Sequence, residues 1–191
     1  MGDFMTNRTK QLTTLSMLTA MSFLLGAFIR IRGIIPIAPF LTYDAKDVGI
    51  LIGGFMFGPL AALLMSVVLA LLEMVTISDS GPIGAIMNTL ASASFACTAA
   101  AIYSRMRNRN GAIIGLVVGS LVATATMLLW NYVMIPIYTP TITRQMVAGL
   151  ILPGLLPFNL IKTGINSVVV LLVYKHVSRA LKAAGFYQLK E

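Results

Sequence analysis

The chain has 191 residues, 58% of them hydrophobic and only 10% charged. Soluble domains carry about 25% charged residues, so this composition excludes a soluble enzyme. The formal charge of +8 does not point to nucleic acid, because the basic residues cluster at the ends of apolar segments, as in membrane proteins. The fold class is therefore all-α and membrane-embedded. One domain is expected over 1–191, with six spans near 12–29, 46–57, 59–77, 83–104, 111–135 and 155–177.

The first span follows Arg8 and Lys10, and no small-residue cleavage site suggests a removed leader. Arg30, Arg32, Gly33, Pro36 and Pro39 then break the pattern, and a polar stretch follows with Thr42, Tyr43, Asp44, Lys46 and Asp47. The apolar run 48–57 is short against the roughly 20 residues of a full crossing. Gly58-Pro59 starts the third span, which ends near Glu73, and Ser78–Pro82 reads as a turn. The fourth span carries Asn88, and the basic loop 105–110 follows it. The fifth ends in Trp130-Asn131-Tyr132, and a short helix is expected at 145–152 before Pro153.

The last span is the informative one. Asn159, Lys162 and Asn166 lie at i, i+3 and i+7, on one helical face. A lysine within a membrane span costs about 2.5–3.5 kcal/mol on insertion scales unless it meets a cavity, a partner or a ligand.

Six spans put both termini on one side. That side holds nine basic residues (Arg8, Lys10, Arg105, Arg107, Arg109, Lys175, Arg179, Lys182 and Lys190), against Arg30, Arg32, Arg144 and Lys46 opposite. Both termini are expected in the cytoplasm. Glu73, Asn88, Asn131, Asn159 and Lys162 then all fall in the outer halves of spans three to six. A polar pocket opening outward is expected there, roofed by the segments 30–47, 78–82 and 139–152.

Each motif has a structural alternative. Asn159 and Lys162 suit a ligand with carbonyl and ring-nitrogen acceptors, but Lys162 could instead pair with Glu73 or cap a carbonyl. Asn166, deeper, reads as an interhelical hydrogen bond. Trp130 and Tyr132 read as interface anchors, and Asn131 fits anchoring or ligand contact equally. Gly84, one turn before Asn88, would let a bound molecule approach the backbone. Ser16 and Ala20 form a small-xxx-small pair that could pack within the chain or outside it. There is no phosphate loop. The lone His176 offers no clustered metal site, and no paired groups suggest an intramembrane protease.

The runs FLTYDAKDVGILIGGFMFGPLAALL (40–64), SGPIGAIMN (80–88), WNYVMIPIY (130–138) and LPFNLIKTGIN (156–166) resemble the substrate-binding S components of energy-coupling factor (ECF) vitamin transporters. The similarity is greatest to the riboflavin-specific branch. The resemblance implies a non-enzymatic cell-membrane protein that captures a vitamin from outside. It implies docking on a membrane T component coupled to two ATP-binding-cassette ATPases, with delivery by toppling in the bilayer. Riboflavin is the transported ligand; no cofactor or metal is implied.

By the same resemblance, Asn131, Asn159 and Lys162 hold the flavin ring, while Tyr43 and Asp44 belong to the loop covering it. Ser16 and Ala20 stand where the family's AxxxA face meets the T component, with serine replacing the first alanine. Two further departures stand out. The chain reads YDAKD where riboflavin binders commonly have DFSD, and Glu73 lies where many have a lysine. Alternatives to riboflavin are another vitamin or precursor, such as folate, pantothenate or a pyrimidine. A self-sufficient permease or small membrane enzyme is a more distant alternative.

Overall fold

The computed structural model describes residues 7–38, 41–77, 81–139 and 141–183. Ser78, Asp79 and Ser80 of the expected turn lie outside the described residues, as do the side chains of Lys182 and Lys190. Helix α1 (Asn7–Phe28) leads into a two-stranded antiparallel ribbon, β1 (Arg30–Arg32) with β2 (Thr42–Asp44). The register pairs Arg30 with Asp44, Ile31 with Tyr43 and Arg32 with Thr42. Then come α2 (Asp47–Phe57), α3 (Pro59–Thr76), α4 (Gly81–Met106) and α5 (Arg109–Tyr138). Helix α6 (Arg144–Leu150) passes through a π-helical turn, Ile151–Leu155, into α7 (Leu156–Ala183).

Among the described residues, five helical runs are long and apolar enough to cross a membrane: Arg8–Phe28, Pro59–Thr76, Gly81–Met106, Arg109–Ile137 and Arg144–His176. The expected second span is different. Helix α2 has 11 residues, a rise of about 16 Å against a hydrocarbon core of about 30 Å. Ten of the 11 are buried, because α1, α3, α4 and α7 all pack around it. It is an internal core helix, and its uniform apolarity reflects burial on every side. The long helices present apolar side chains outward instead, among them Leu60, Val75, Leu129 and Leu172, as lipid requires.

The expected break at Pro153 also resolves differently. A π-helical turn absorbs the proline within one continuous run, so α6 packs inward and Val147 is fully buried. Within the segment 30–47, Arg30–Arg32 and Thr42–Asp44 form the β-ribbon rather than irregular loop.

Small residues set the close packing. A Cβ on Gly119 would stand 2.7 Å from the Phe95 carbonyl oxygen, and one on Gly115 the same distance from that of Ala99. Helices α4 and α5 therefore touch backbone to backbone, the arrangement small residues permit between membrane helices. Gly119→Val is expected to destabilise the protein by about 1–3 kcal/mol through overpacking, read as a lower melting temperature in detergent. An unchanged melt would show that the α4–α5 seam is looser than this contact implies.

The core has two parts. The larger cluster joins α2 to α3, α4 and α5 through Ile50, Leu51, Phe55, Leu69, Phe95 and Leu116. At the end away from the ribbon, Phe55, Tyr103 and Tyr174 stack, with the two tyrosine hydroxyls 3.0 Å apart. The smaller cluster lies under the ribbon: Leu41 and Tyr43 meet Ile135, Val147, Leu155 and Phe158.

Candidate functional site

The buried charged groups gather at the ribbon end. Arg30 donates from Nη1 to the Ile77 carbonyl at 2.7 Å, tying the ribbon to the end of α3. Across the ribbon from Arg30, Asp44 turns inward, as does Lys46 just beyond it, and both are buried. Lys162 of α7 donates to Asp44 Oδ2 at 2.9 Å, and Lys46 Nζ lies 4.0 Å from the same oxygen. Lys46 also pairs with Glu73 of α3, whose Oε2 accepts from Asn88 Nδ2 of α4 at 3.1 Å.

A second layer lies deeper. Asp47, in the first turn of α2, accepts from Ser92 at 2.6 Å and from Asn166 Nδ2 at 3.4 Å. The Tyr43 hydroxyl donates to Asn166 Oδ1 at 3.0 Å. Burial and the neighbouring Asp44 charge hold the Tyr43 phenol above its ordinary value, so it is a standing donor. Burial pushes the Asp44 carboxyl up, but Lys162 and Lys46 outweigh it and hold it below the ordinary range. Asp44 is therefore ionised at neutral pH. The stability its pairing contributes is present above the ordinary carboxylate pKa and is lost as pH falls through the depressed value.

Three carboxylates and two ammonium groups thus share one buried network linking α2, α3, α4, α7 and the ribbon. Such pairs contribute little net stability against apolar replacements, but losing one partner strands a buried charge.

The residues expected to contact ligand separate into two groups. Lys162, Asp44 and Glu73 are bound to one another through Lys46, and Asn88 joins them. Lys162 pairs with Asp44, not with Glu73. Glu73 is occupied by Lys46 and Asn88 and faces the ribbon's anchor. Gly84 is buried one turn from Asn88, on the α4 face that also carries Ser92.

Asn131 and Asn159 lie apart from this network. Each donates its Nδ2 to the carbonyl four residues back, Met127 and Leu155, at 2.7 Å. The amide oxygen and the second Nδ2 hydrogen of each remain to offer. They flank the apolar cluster of Tyr43, Ile135, Leu155 and Phe158. Asn166 makes the interhelical bonds its depth suggested. Lys46, Asp47 and Ser92 complete the network, and nothing in their spacing reveals their partners. Ser16 and Ala20 are exposed on α1, so they do not pack within the chain. Tyr132 is exposed, while the Trp130 indole nitrogen is buried without a hydrogen-bond partner.

A buried charged network and an apolar cluster beneath the ribbon, in a bundle whose long helices turn apolar side chains outward, define a membrane-embedded helical protein. The model of the ECF transporter, substrate-specific component, matches residues 10–174. The chain belongs to that family.

The riboflavin transporter RibU of Staphylococcus aureus (strain TCH60) is 37% identical over 179 residues, covering 91% of this chain and 93% of the relative. RibU of Streptococcus thermophilus (strain ATCC BAA-250 / LMG 18311) is 30% identical over 180 residues, 90% and 83% of the two chains. The riboflavin transporter FmnP of Bacillus subtilis (strain 168) is 27% identical over 176 residues, 87% and 91%. A solved S component of a bacterial ECF transporter superposes with a TM-score of 0.75 at 37% identity, covering 92% of this chain and 99% of that one.

Proposed function

We propose that the chain is the riboflavin-binding S component of an ECF importer. It takes the vitamin from outside the cell membrane, with six helices embedded and both termini cytoplasmic. The observation that supports this reading is the position of Asn131 on α5 and of Asn159 and Lys162 on α7, toward the ribbon end and next to the apolar cluster that includes Tyr43. A flavin has the matching chemistry: a flat apolar ring whose carbonyl and ring-nitrogen edge accepts hydrogen bonds from an ammonium. The riboflavin transporters among its relatives support the same ligand.

In this reading Lys162 and the two asparagines hold the ring edge. Asn88 and Gly84 line the α4 side. Tyr43 and Asp44 bring the ribbon over the ligand, and Glu73 anchors that ribbon through Lys46. The exposed small pair Ser16 and Ala20 supports docking on a T component, which would couple the chain to two ATPases. Delivery then follows toppling against that partner.

The test is mass spectrometry of the small molecule that copurifies, joined to a titration of flavin fluorescence. Riboflavin in the preparation and saturable quenching are expected. A different vitamin or a pyrimidine in its place would keep the carrier and replace the ligand. Uptake into liposomes by the chain alone would remove the S-component reading altogether.

A further inference from the structure

The seam between α5 and α7 holds an unused group. Leu116 and Val170 belong to one core cluster, Ser120 hydrogen-bonds Thr163, and Ile135 meets Leu155 in the other cluster. The two helices are therefore antiparallel, and their levels can be matched. Thr124 stands one turn toward the ribbon from Ser120, and Asn159 one turn toward it from Thr163. Ser120, Thr124 and Asn131 lie within about 40° of one another around α5, at 100° per residue. Thr124 thus shares the level of Asn159 and the face of Asn131.

Thr124 is 4% exposed, yet its hydroxyl has no hydrogen-bond partner among the described residues. Buried hydroxyls elsewhere in the bundle bond back to the carbonyl four residues earlier, as Thr14 and Ser22 of α1, Ser66 of α3 and Thr163 of α7 do. Such a back-bond is nearly always open to a helical threonine. A buried hydroxyl left unpaired costs stability, so an orphan at this level points to a partner absent from the free chain.

We propose that Thr124 is a further recognition residue of the flavin site, exchanging a hydrogen bond with a polar group of the ligand. This rests on the riboflavin reading. The ligand group is a hydroxyl of the ribityl chain or a heteroatom of the ring edge. Both accept or donate to a hydroxyl, and the experiment separates them.

Riboflavin and lumiflavin, which lacks the sugar chain, are titrated by fluorescence quenching against wild type, Thr124→Val, Thr124→Ser and Thr124→Ala. The expected result is a loss of about three- to tenfold in riboflavin affinity for the valine and alanine variants. Serine should retain affinity. The melting temperature of the ligand-free valine variant should stay level or rise, since the orphaned hydroxyl is gone. A merely structural threonine would give the opposite stability change. Loss with both flavins places the contact on the ring, and loss with riboflavin alone places it on the chain.

Unchanged riboflavin affinity in Thr124→Val and Thr124→Ala overturns the proposal while leaving the flavin reading intact. Absence of any flavin binding by wild type overturns both.

Discussion

Replacing Lys162 with methionine is expected to lower riboflavin affinity by on the order of 10- to 100-fold, the range of a hydrogen bond from a charged donor. The same change strands the Asp44 carboxylate, which is buried and already has one oxygen without a partner. Breaking a buried pair from one side costs about 3–5 kcal/mol, so Lys162→Met should also lower the melting temperature. The two losses separate in a paired variant. Asp44→Leu with Lys162→Met removes both charges and should recover most of the stability, while affinity stays low. If the paired variant binds riboflavin like wild type, Lys162 is a strut and not a ligand contact.

The largest effect on stability alone is expected at the other ion pair. Lys46 is 2% exposed and Glu73 5%, so neither charge has water as a substitute partner. Glu73→Leu leaves Lys46 with only the 4.0 Å contact to Asp44 and deprives Asn88 of its acceptor. Lys46→Met strands Glu73. Each single change is expected to cost about 3–5 kcal/mol, and the double change much less, because an apolar pair of similar volume often replaces a buried ion pair without loss. Thermal melts of the two single variants and the double one form a closed cycle. Additive effects would mean that the two residues do not act together.

This pair also accounts for the departures from the riboflavin-binder pattern. The lysine in YDAKD and the acid at 73, taken separately, each put an unexpected charge near the site. In space they meet, so each explains the other.

What could be read from the sequence follows from how each feature is encoded. The long helices announce themselves through continuous apolarity, and the stripe of Asn159, Lys162 and Asn166 through its spacing. The clustering of Glu73, Asn88, Asn131, Asn159 and Lys162 at one end follows from chain order alone. Helix α2 was misleading because a rod buried on all sides and a rod facing lipid are equally greasy; only its length separates them. The ribbon is three residues a strand, too short for alternation to appear. The pairing of Asp44 with Lys162 spans 118 positions, and no local pattern records it. One signal was available. The chain has only six acidic residues, and Asp44, Asp47 and Glu73 are half of them, each next to a span.

Helix α2 carries one more implication, for how the protein is made. A stretch of 11 residues beginning at Asp47 and preceded by Lys46 lacks the length and the clean flanks by which the translocon commits a segment to the bilayer. It can enter only as a passenger, pulled in once α1 and α3 stand on either side and α4 supplies Ser92 for its leading carboxylate. Correct biogenesis therefore waits on residues synthesised 45 and 119 positions later, Ser92 and Asn166. A ribosome stalled before α4 would leave this part of the chain at the membrane surface.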